Sequence, residues 1–137
     1  MAVEGDLKVL YVDDEPDLIA VVVRSLELDR KITVRSVDRG AKALDLLAEG
    51  AWRPDVVLLD VTMPEMDGPT TLQRIGAMTD GMLPVIFFTA RGRGAGFDAL
   101  SKAGAIGVLG KPFDPMSLAS DVRGLLASAA DTRSTIL

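Results

Sequence analysis

The stretch that decides the fold of this chain runs Val56-Val57-Leu58-Leu59-Asp60-Val61-Thr62-Met63-Pro64. Branched apolar residues pack on both faces of a buried parallel strand, so the uninterrupted run before Asp60 predicts a central strand rather than half of an exposed hairpin. Asp60 then lies at the carboxyl end of that strand. Open α/β sheets bind their ligands just outside this edge. The carboxylate of Asp60 is therefore the first candidate for chemistry.

Four more apolar runs predict strands, and each predicted strand is followed by a segment with helical periodicity. The β-branched run at 21–23 leaves a strand open as the alternative for the first helix, although the charges at Arg24 and Glu27 break any alternation. Asp38 is a candidate cap for the second helix, and Gly50 is a candidate stop. The further strands are expected at 7–12, 31–37 (an exposed edge strand), 85–88 and 104–110. The helices are expected at 18–28, 41–48, 70–78, 97–103 and from Asp114 or Pro115 onward.

A strand–helix unit repeated five times predicts an α/β protein with a flavodoxin-like (βα)5 fold. This fold is a doubly wound parallel sheet with strand order 2-1-3-4-5, because short right-handed crossovers place helices on both faces. We expect a single domain over residues 1–137, with a core of about 7–127 and a polar tail at 128–137 that frays at its end. The sequence shows no internal repeat and no linker.

Composition and charge exclude several classes of function. Of the 137 residues, 48% are hydrophobic, which is too many for a disordered chain. No apolar run approaches the roughly 20 residues of a membrane span, and the start of the chain lacks the basic residues of a signal peptide, so we expect a soluble, cytoplasmic protein. The chain has no Cys and no His, which excludes disulfides, thiolate nucleophiles, Ser-His triads and zinc sites with these ligands. The net charge of −5 argues against direct contact with nucleic acid.

Four predicted strands end on polar residues, namely Asp13-Asp14, Asp60, Thr89 and Lys111. All four ends of a parallel sheet lie at one edge, where three neighbouring carboxylates repel one another unless a divalent cation is present. Oxygen ligands alone suit Mg²⁺. A carboxylate beside Mg²⁺ and a lysine has the chemistry to attack a phosphoryl group. Each residue by itself is more often a helix cap, a solvated charge or an ordinary strand residue, so the prediction depends on the whole set.

Taken together, four motifs resemble the receiver domain of two-component response regulators. They are Asp-Asp-Glu after the first strand, Leu-Leu-Asp-Val-Thr-Met-Pro-Glu-Met-Asp-Gly, Phe-Thr-Ala, and Gly-Lys-Pro-Phe. The resemblance covers about residues 7 to 127, with the motifs in the family's order and spacing. It implies a bacterial signalling switch, similar to stand-alone chemotaxis receivers, that catalyses its own phosphoryl transfer and dephosphorylation rather than acting as an enzyme on other molecules.

The resemblance also implies roles for individual residues. Asp60 would accept a phosphoryl group from the phosphohistidine of a sensor histidine kinase or a histidine phosphotransfer protein, in a Mg²⁺-dependent reaction. Asp14 would bind Mg²⁺ directly, Asp13 nearby or through water, and Asp60 with the backbone carbonyl of Thr62 would complete the protein ligands. The output would be altered binding to a downstream target protein, without direct contact to nucleic acid or membrane.

The phosphoryl oxygens would be contacted by Thr89 and Lys111, and the peptide bond before Pro112 is typically cis in the family. One position departs from the family pattern. Receivers usually carry Tyr or Phe three residues before the lysine, and here that residue is Val108, so the usual aromatic switch cannot operate. We expect the signal to travel instead through the glycine-rich loop 91–96.

Two neighbours of the phosphoryl site should tune the lifetime of the phosphorylated state. Thr62 and Arg91 would both flank the path of an attacking water. The sequence does not indicate whether they lengthen or shorten the lifetime. Ala90 is small and should leave the site open to a phosphoryl donor. The Gly92-x-Gly94-x-Gly96 run has the spacing of neither the dinucleotide nor the Walker phosphate loop.

Two other functions remain open at this point. One is a pseudo-receiver, a protein-interaction module that acts without phosphorylation, for which Val108 is the warning sign. The other is a small Mg²⁺-dependent phosphohydrolase with an aspartyl intermediate, which would need an acid–base group and a substrate-binding cap that the sequence lacks. Phosphorylation of Asp60 separates the receiver from the pseudo-receiver, and turnover of a general phosphate ester would indicate the hydrolase.

Overall fold

A computed structural model describes the backbone of residues 5–90, 100 and 102–136, and side chains up to residue 130. Its strands form one five-stranded sheet in the order β2-β1-β3-β4-β5, with every neighbouring pair parallel. This is the predicted flavodoxin-like arrangement. The strands are β1 (Leu7–Val12), β2 (Ile32–Val37), β3 (Val56–Asp60), β4 (Val85–Thr89) and β5 (Gly107–Gly110).

Four helices are described, and they follow β1, β2, β3 and β5 in the chain. They are α1 (Pro16–Leu26), α2 (Gly40–Glu49), α3 (Gly68–Thr79) and α4 (Leu118–Ile136). The β-branched segment at 21–23 is helical, so the alternative of a strand there is wrong. Of the helix predicted at 97–103, residues 97–99 and 101 lie outside the described residues, whereas Leu100 and Lys102 are helical. The last helix begins a few residues after the predicted start and continues through the segment that the sequence marks as a polar tail.

The ends of α2 test two predictions about capping. Gly50 follows the helix with φ of 71°, a left-handed conformation that glycine adopts without strain, so the predicted stop is confirmed. The prediction that Asp38 caps this helix is wrong. The N-cap residue is Arg39, and no side chain caps the helix there. The carboxylate of Asp38 instead pairs with Lys42 at 3.0 Å and with Arg39 at 3.3 Å.

The core lies on both faces of the sheet, as the continuous apolar strands require. Alternate residues of a strand point to opposite faces. One face packs Leu58 and Phe88 beneath α1 and α4, and the other packs Leu59 and Phe87 beneath α2 and α3. All five residues of β3 and of β4 are buried, whereas the edge strand β2 is largely exposed. The carboxyl ends of β3 and β4, at Asp60 and Thr89, are therefore buried with the rest of these strands.

The register of the sheet brings the predicted site residues together. Asp60 stands opposite Phe88, and Thr89 stands opposite Gly110, one residue before Lys111. Because β1 and β3 are neighbours, the Asp13-Asp14 pair emerges beside Asp60 at the point where the strand order reverses. That position is where open α/β sheets bind their ligands.

Candidate functional site

Three carboxylates form a cluster at the carboxyl edge of the sheet. Asp13, Asp14 and Asp60 each offer one oxygen, and these oxygens lie within 4.8 Å of one another. Asp13 and Asp60 are buried, and Asp14 is half-buried. The donors are all oxygens, which is the ligand set of a hard divalent cation such as Mg²⁺ and not of zinc or copper. The three residues therefore fit the cation that the sequence predicts.

Lys111 is the positive partner of this cluster. Its Nζ donates to Asp13 Oδ2 at 2.8 Å and to Asp60 Oδ1 at 3.3 Å, and it approaches Glu15 Oε1 at 3.9 Å. The lysine is anchored at the end of β5, where its backbone N–H donates to the carbonyl oxygen of Thr89 at 2.7 Å. The Lys111–Pro112 peptide bond is cis, as the family resemblance predicted. One ammonium group is thus shared between two buried carboxylates, whose combined charge it only partly offsets.

Tyr11, a residue of β1, contacts the same cluster through its hydroxyl group. Its hydroxyl donates to Asp13 Oδ2 at 2.6 Å, and the backbone N–H of Glu15 donates to Asp13 Oδ1 at 3.1 Å. The Tyr11 ring packs edge-on against Phe88 with centroids 6.2 Å apart, and Lys111 Nζ lies 5.1 Å from the centroid of the Phe88 ring. Both oxygens of Asp13 are therefore held by donors from the protein.

The electrostatics of the site follow from burial and like charge. Burial and the neighbouring charge of Asp13 raise the pKa of Asp60 to about 6, against the opposing effects of Lys111 and of a hydrogen bond from the backbone N–H of Thr62. Burial lowers the pKa of Lys111, but its bonds to Asp13 and Asp60 outweigh this, so the pKa is raised overall. Burial and the hydrogen bond to Asp13 raise the pKa of Tyr11 far above its usual value. The lysine stays charged and the tyrosine keeps its proton.

The loop after Asp60 is held close to the strand end. Gly68, the first residue of α3, donates its N–H to the carbonyl oxygen of Val61 at 2.8 Å, and a Cβ at Gly68 would lie 2.7 Å from the carbonyl oxygen of Asp60. Within the loop, Glu65 has φ of 71°, and the N–H of Met66 bonds to the carbonyl oxygen of Pro64 at 2.7 Å. A three-residue turn with positive φ is strained. The loop geometry therefore depends on tight backbone contacts next to Asp60.

The remaining predicted residues lie as follows. Thr89 is buried at the end of β4, beside Lys111. Thr62 is exposed two residues after Asp60. Val108 is half-buried in β5 opposite Phe87, and it packs with the core on the side of α2 and α3. Arg91 and the loop 91–96, to which the sequence assigns the tuning of lifetime and the transmission of the signal, lie outside the described residues.

Sequence reasoning missed two members of the site. The apolar pattern marks Tyr11 only as a strand residue, although its position two residues before Asp13 places both side chains on the same face of the sheet. The same pattern marks Phe88 only as apolar core, although it immediately precedes Thr89 at the strand end. In each case the available signal is a large aromatic residue one or two positions before a polar residue at the carboxyl end of a strand.

The fold and this site define a class of protein: a doubly wound α/β domain with three clustered carboxylates and a lysine at its switch point. Comparison with known sequences then identifies the family. Residues 9–123 match the response regulator receiver domain. The chain belongs to this family, which confirms the resemblance seen in the sequence. Receiver domains are signalling switches of two-component systems rather than conventional enzymes.

Individual relatives agree with this assignment. The transcriptional regulatory protein PrrA of Mycobacterium tuberculosis is 37% identical over 125 residues, which cover 91% of this chain and 52% of PrrA. The sensor kinase CckA of Brucella abortus is 35% identical over 122 residues, which cover 89% of this chain and 13% of CckA. The chain thus spans about half or less of the length of these relatives.

Solved structures give the same result. The signal receiver domain of the putative response regulator NarL from Mycobacterium tuberculosis superposes with a TM-score of 0.75 at 30% identity, and the match covers 86% of this chain and 94% of that domain.

None of the helices in the part of the chain that the structure describes combines the length and hydropathy needed to span a membrane.

Proposed function

We propose that this chain is a phosphorylation switch in which Asp60 accepts a phosphoryl group from the phosphohistidine of a partner protein in a Mg²⁺-dependent reaction. The partner is a sensor histidine kinase or a histidine phosphotransfer protein, and the phosphorylated chain signals through altered binding to a downstream target protein. The observation that carries this proposal is the position of Lys111 Nζ, 3.3 Å from Asp60 Oδ1 and 2.8 Å from Asp13 Oδ2, at an edge lined by three carboxylates.

The reaction follows from the groups at this edge. An oxygen of the Asp60 carboxylate attacks the phosphorus of the partner's phosphohistidine, so a new O–P bond forms while the P–N bond breaks. The electron pair of the broken bond stays on the partner's imidazole, which takes a proton from solvent. Lys111 and the hydroxyl of Thr89 donate to the phosphoryl oxygens, which carry the negative charge in the transition state. Later attack by water on the same phosphorus regenerates the Asp60 carboxylate.

Mg²⁺ would be held by Asp13, Asp14, Asp60 and the backbone carbonyl of Thr62, and when bound it would supply positive charge beside the phosphoryl oxygens. The chain's own residues support this requirement. Burial and the charge of Asp13 raise the pKa of Asp60 to about 6. A carboxylate must be ionised to act as a nucleophile, so added positive charge at this edge favours the reactive form of Asp60.

The test is a measurement of intact mass after incubation with acetyl phosphate, with Mg²⁺ and with EDTA. We expect a gain of one phosphoryl group that needs Mg²⁺, that hydroxylamine removes as it does any acyl phosphate, and that Asp60→Asn abolishes. Asp45→Asn is the matched control, because Asp45 is an exposed aspartate on α2 remote from the sheet edge. The chain contains no His and no Cys, so neither residue type can account for the added mass.

Three results would decide against the proposal in different ways. No mass gain from acetyl phosphate or from a phosphorylated histidine kinase would favour a pseudo-receiver. A gain that persists in Asp60→Asn would move the acceptor to another residue. Continuous turnover of a general phosphate ester would favour the phosphohydrolase.

A further inference from the structure

Tyr11 is the only tyrosine of the chain, and its side chain is completely buried. The hydroxyl is directed to the functional edge, where it donates to Asp13 Oδ2 at 2.6 Å. The same oxygen accepts from Lys111 Nζ at 2.8 Å, while the other oxygen, Oδ1, accepts from the backbone N–H of Glu15. Tyr11 thus supplies one of three donors that fix the rotation of the Asp13 carboxylate.

We propose that Tyr11 is a positioning residue of the cation site: its hydroxyl holds Asp13 in the orientation that binds the cation, and it keeps Asp13 Oδ2 hydrogen-bonded when Lys111 turns to a phosphoryl group. This inference rests on the function proposed above. It assigns a role to a residue that does not itself touch the cation or the phosphoryl group, and Tyr11 acts through Asp13 alone.

The first reason is the shared oxygen. Lys111 cannot donate fully to a phosphoryl oxygen while it remains bound to Asp13 Oδ2, so the reaction requires that this contact weaken. Asp13 has an exposed fraction of 0%, so water does not replace a lost donor there. A buried carboxylate oxygen without a donor is costly. The Tyr11 hydroxyl removes that cost, because it still donates to Oδ2 after the lysine has turned away.

The second reason is the rigidity of the ring. Tyr11 packs edge-on against Phe88, and Phe88 packs edge-on against Phe113 with centroids 5.5 Å apart. The backbone of Tyr11 is paired on both sides, with Ser36 of β2 and Leu58 of β3. The hydroxyl is therefore a fixed donor. Fixed hydrogen bonds to a metal ligand are what orient the ligand and tune its affinity.

The first test is the affinity for Mg²⁺ alone, measured by isothermal titration calorimetry on Tyr11→Phe, which removes the hydroxyl and leaves the ring. We expect the dissociation constant to rise about tenfold, the lower end of the effect of losing such a partner. Ser25→Ala is the matched control. Ser25 is also buried, and its hydroxyl donates to the carbonyl oxygen of Val21 at 2.8 Å, nine residues beyond Pro16 and about 14 Å along α1.

A second measurement does not depend on the variant folding. The hydroxyl proton of Tyr11 in the wild-type protein should give a downfield NMR signal that exchanges slowly with solvent, because it is buried in a short bond to a carboxylate. The signal should shift on addition of Mg²⁺, and it is unambiguous because the chain has one tyrosine. A signal that Mg²⁺ leaves unchanged would show that the hydroxyl is not coupled to the cation site.

The outcomes separate this inference from the proposed function. The inference is overturned if Tyr11→Phe binds Mg²⁺ within twofold of the wild type and of Ser25→Ala, or if the hydroxyl signal is indifferent to Mg²⁺. A tenfold loss of affinity with an unchanged control supports it. If the wild type binds Mg²⁺ with the expected dependence on Tyr11 but acetyl phosphate adds no mass, the positioning role stands and the proposed function fails.

Discussion

Substitution of Gly68 by alanine should displace the backbone of Asp60, the acceptor that we propose. Gly68 begins α3, and a Cβ added there would lie 2.7 Å from the carbonyl oxygen of Asp60 and 2.8 Å from Cα of Val61. Both contacts are with backbone atoms, so no side chain can turn aside to relieve them. The start of α3 and the end of β3 must separate by several tenths of an ångström, and Asp60 itself lies at the point of contact.

The size of the effect can be worked from two opposing terms. Forcing a methyl group into a packed site costs about 1–3 kcal/mol. Replacing glycine by alanine in a helix returns up to about 1 kcal/mol through helix propensity. Gly76 lies in the same helix, and a Cβ there meets nothing within 4 Å, so Gly76→Ala receives the propensity term without the clash. The difference between the two variants therefore isolates a steric cost of about 1–3 kcal/mol.

Urea unfolding measures this difference directly. With a slope of about 2 kcal/mol/M, the midpoint of Gly68→Ala should lie about 0.5–1.5 M below that of Gly76→Ala, and Gly76→Ala should equal or exceed the wild type. Phosphorylation by acetyl phosphate should also slow by about tenfold or more in Gly68→Ala, because small displacements of a reacting group are costly. Equal midpoints for the two variants, or a normal rate in Gly68→Ala, would refute the argument that this glycine is required by the acceptor.

Three further predictions concern charge and capping. Asp60→Asn should stabilise the metal-free protein at neutral pH: the pKa of Asp60 is raised to about 6, roughly two units above its ordinary value, which is worth about 3 kcal/mol. A raised pKa gives stability that is present at low pH and lost as the pH rises through 6. In urea titrations with EDTA, wild type and variant should therefore be equally stable near pH 4 and diverge at higher pH. A stability difference that stays constant with pH would contradict this. Asp67→Ala should cost about 1 kcal/mol in thermal unfolding, because Asp67 Oδ1 accepts from the N–H of Thr70 at 2.9 Å at the start of α3, whereas Asp45→Ala on the exposed face of α2 should be neutral. Arg123→Met should lower the free energy of unfolding by about 1 kcal/mol at pH 7, because Arg123 Nε pairs with Asp29 Oδ2 at 2.8 Å and lowers the pKa of Asp29. A lowered pKa gives stability that is lost as the pH falls below about 4, so the difference between variant and wild type should shrink in acid. A difference that does not depend on pH would exclude the ion pair as its cause.

The order and direction of the strands could be predicted because burial on both faces leaves a strong pattern. The runs at 56–59 and 85–88 contain no polar residue, and a strand with that pattern has few places other than the centre of a parallel sheet. The edge position of β2 was equally visible in its mixed composition. The polar residues at the strand ends could then be brought to one edge by topology alone. Helix limits were less certain, since capping at α2 depends on local backbone geometry that Asp38 does not determine.

The hydrogen-bond partners of individual side chains within the site could not be predicted from the sequence. Lys111 and Asp13 are 98 residues apart in the chain, and no pattern in the sequence indicates that the lysine binds Asp13 more closely than Asp60. That preference depends on how far β5 extends relative to β1, which is a matter of tertiary distances. The hydroxyl of Tyr11 is a similar case, because a buried tyrosine takes whichever acceptor its ring packing places within reach.

The repulsion between Asp13 and Asp60 should contribute to the cation affinity that we propose for this site. Folding buries Asp60 and places it beside Asp13 at the ends of adjacent strands. Burial first, and then the charge of Asp13, raise the pKa of Asp60 against the opposing effect of Lys111. A cation that binds only the folded state relieves this repulsion, and at a hundred times its dissociation constant it stabilises the fold by about 2.7 kcal/mol. Asp60→Asn, which removes the repulsion, should therefore be more stable than the wild type without metal. Added metal should also stabilise this variant less, because the charges of Asp13 and Asp60 affect both the stability of the fold and the binding of the cation.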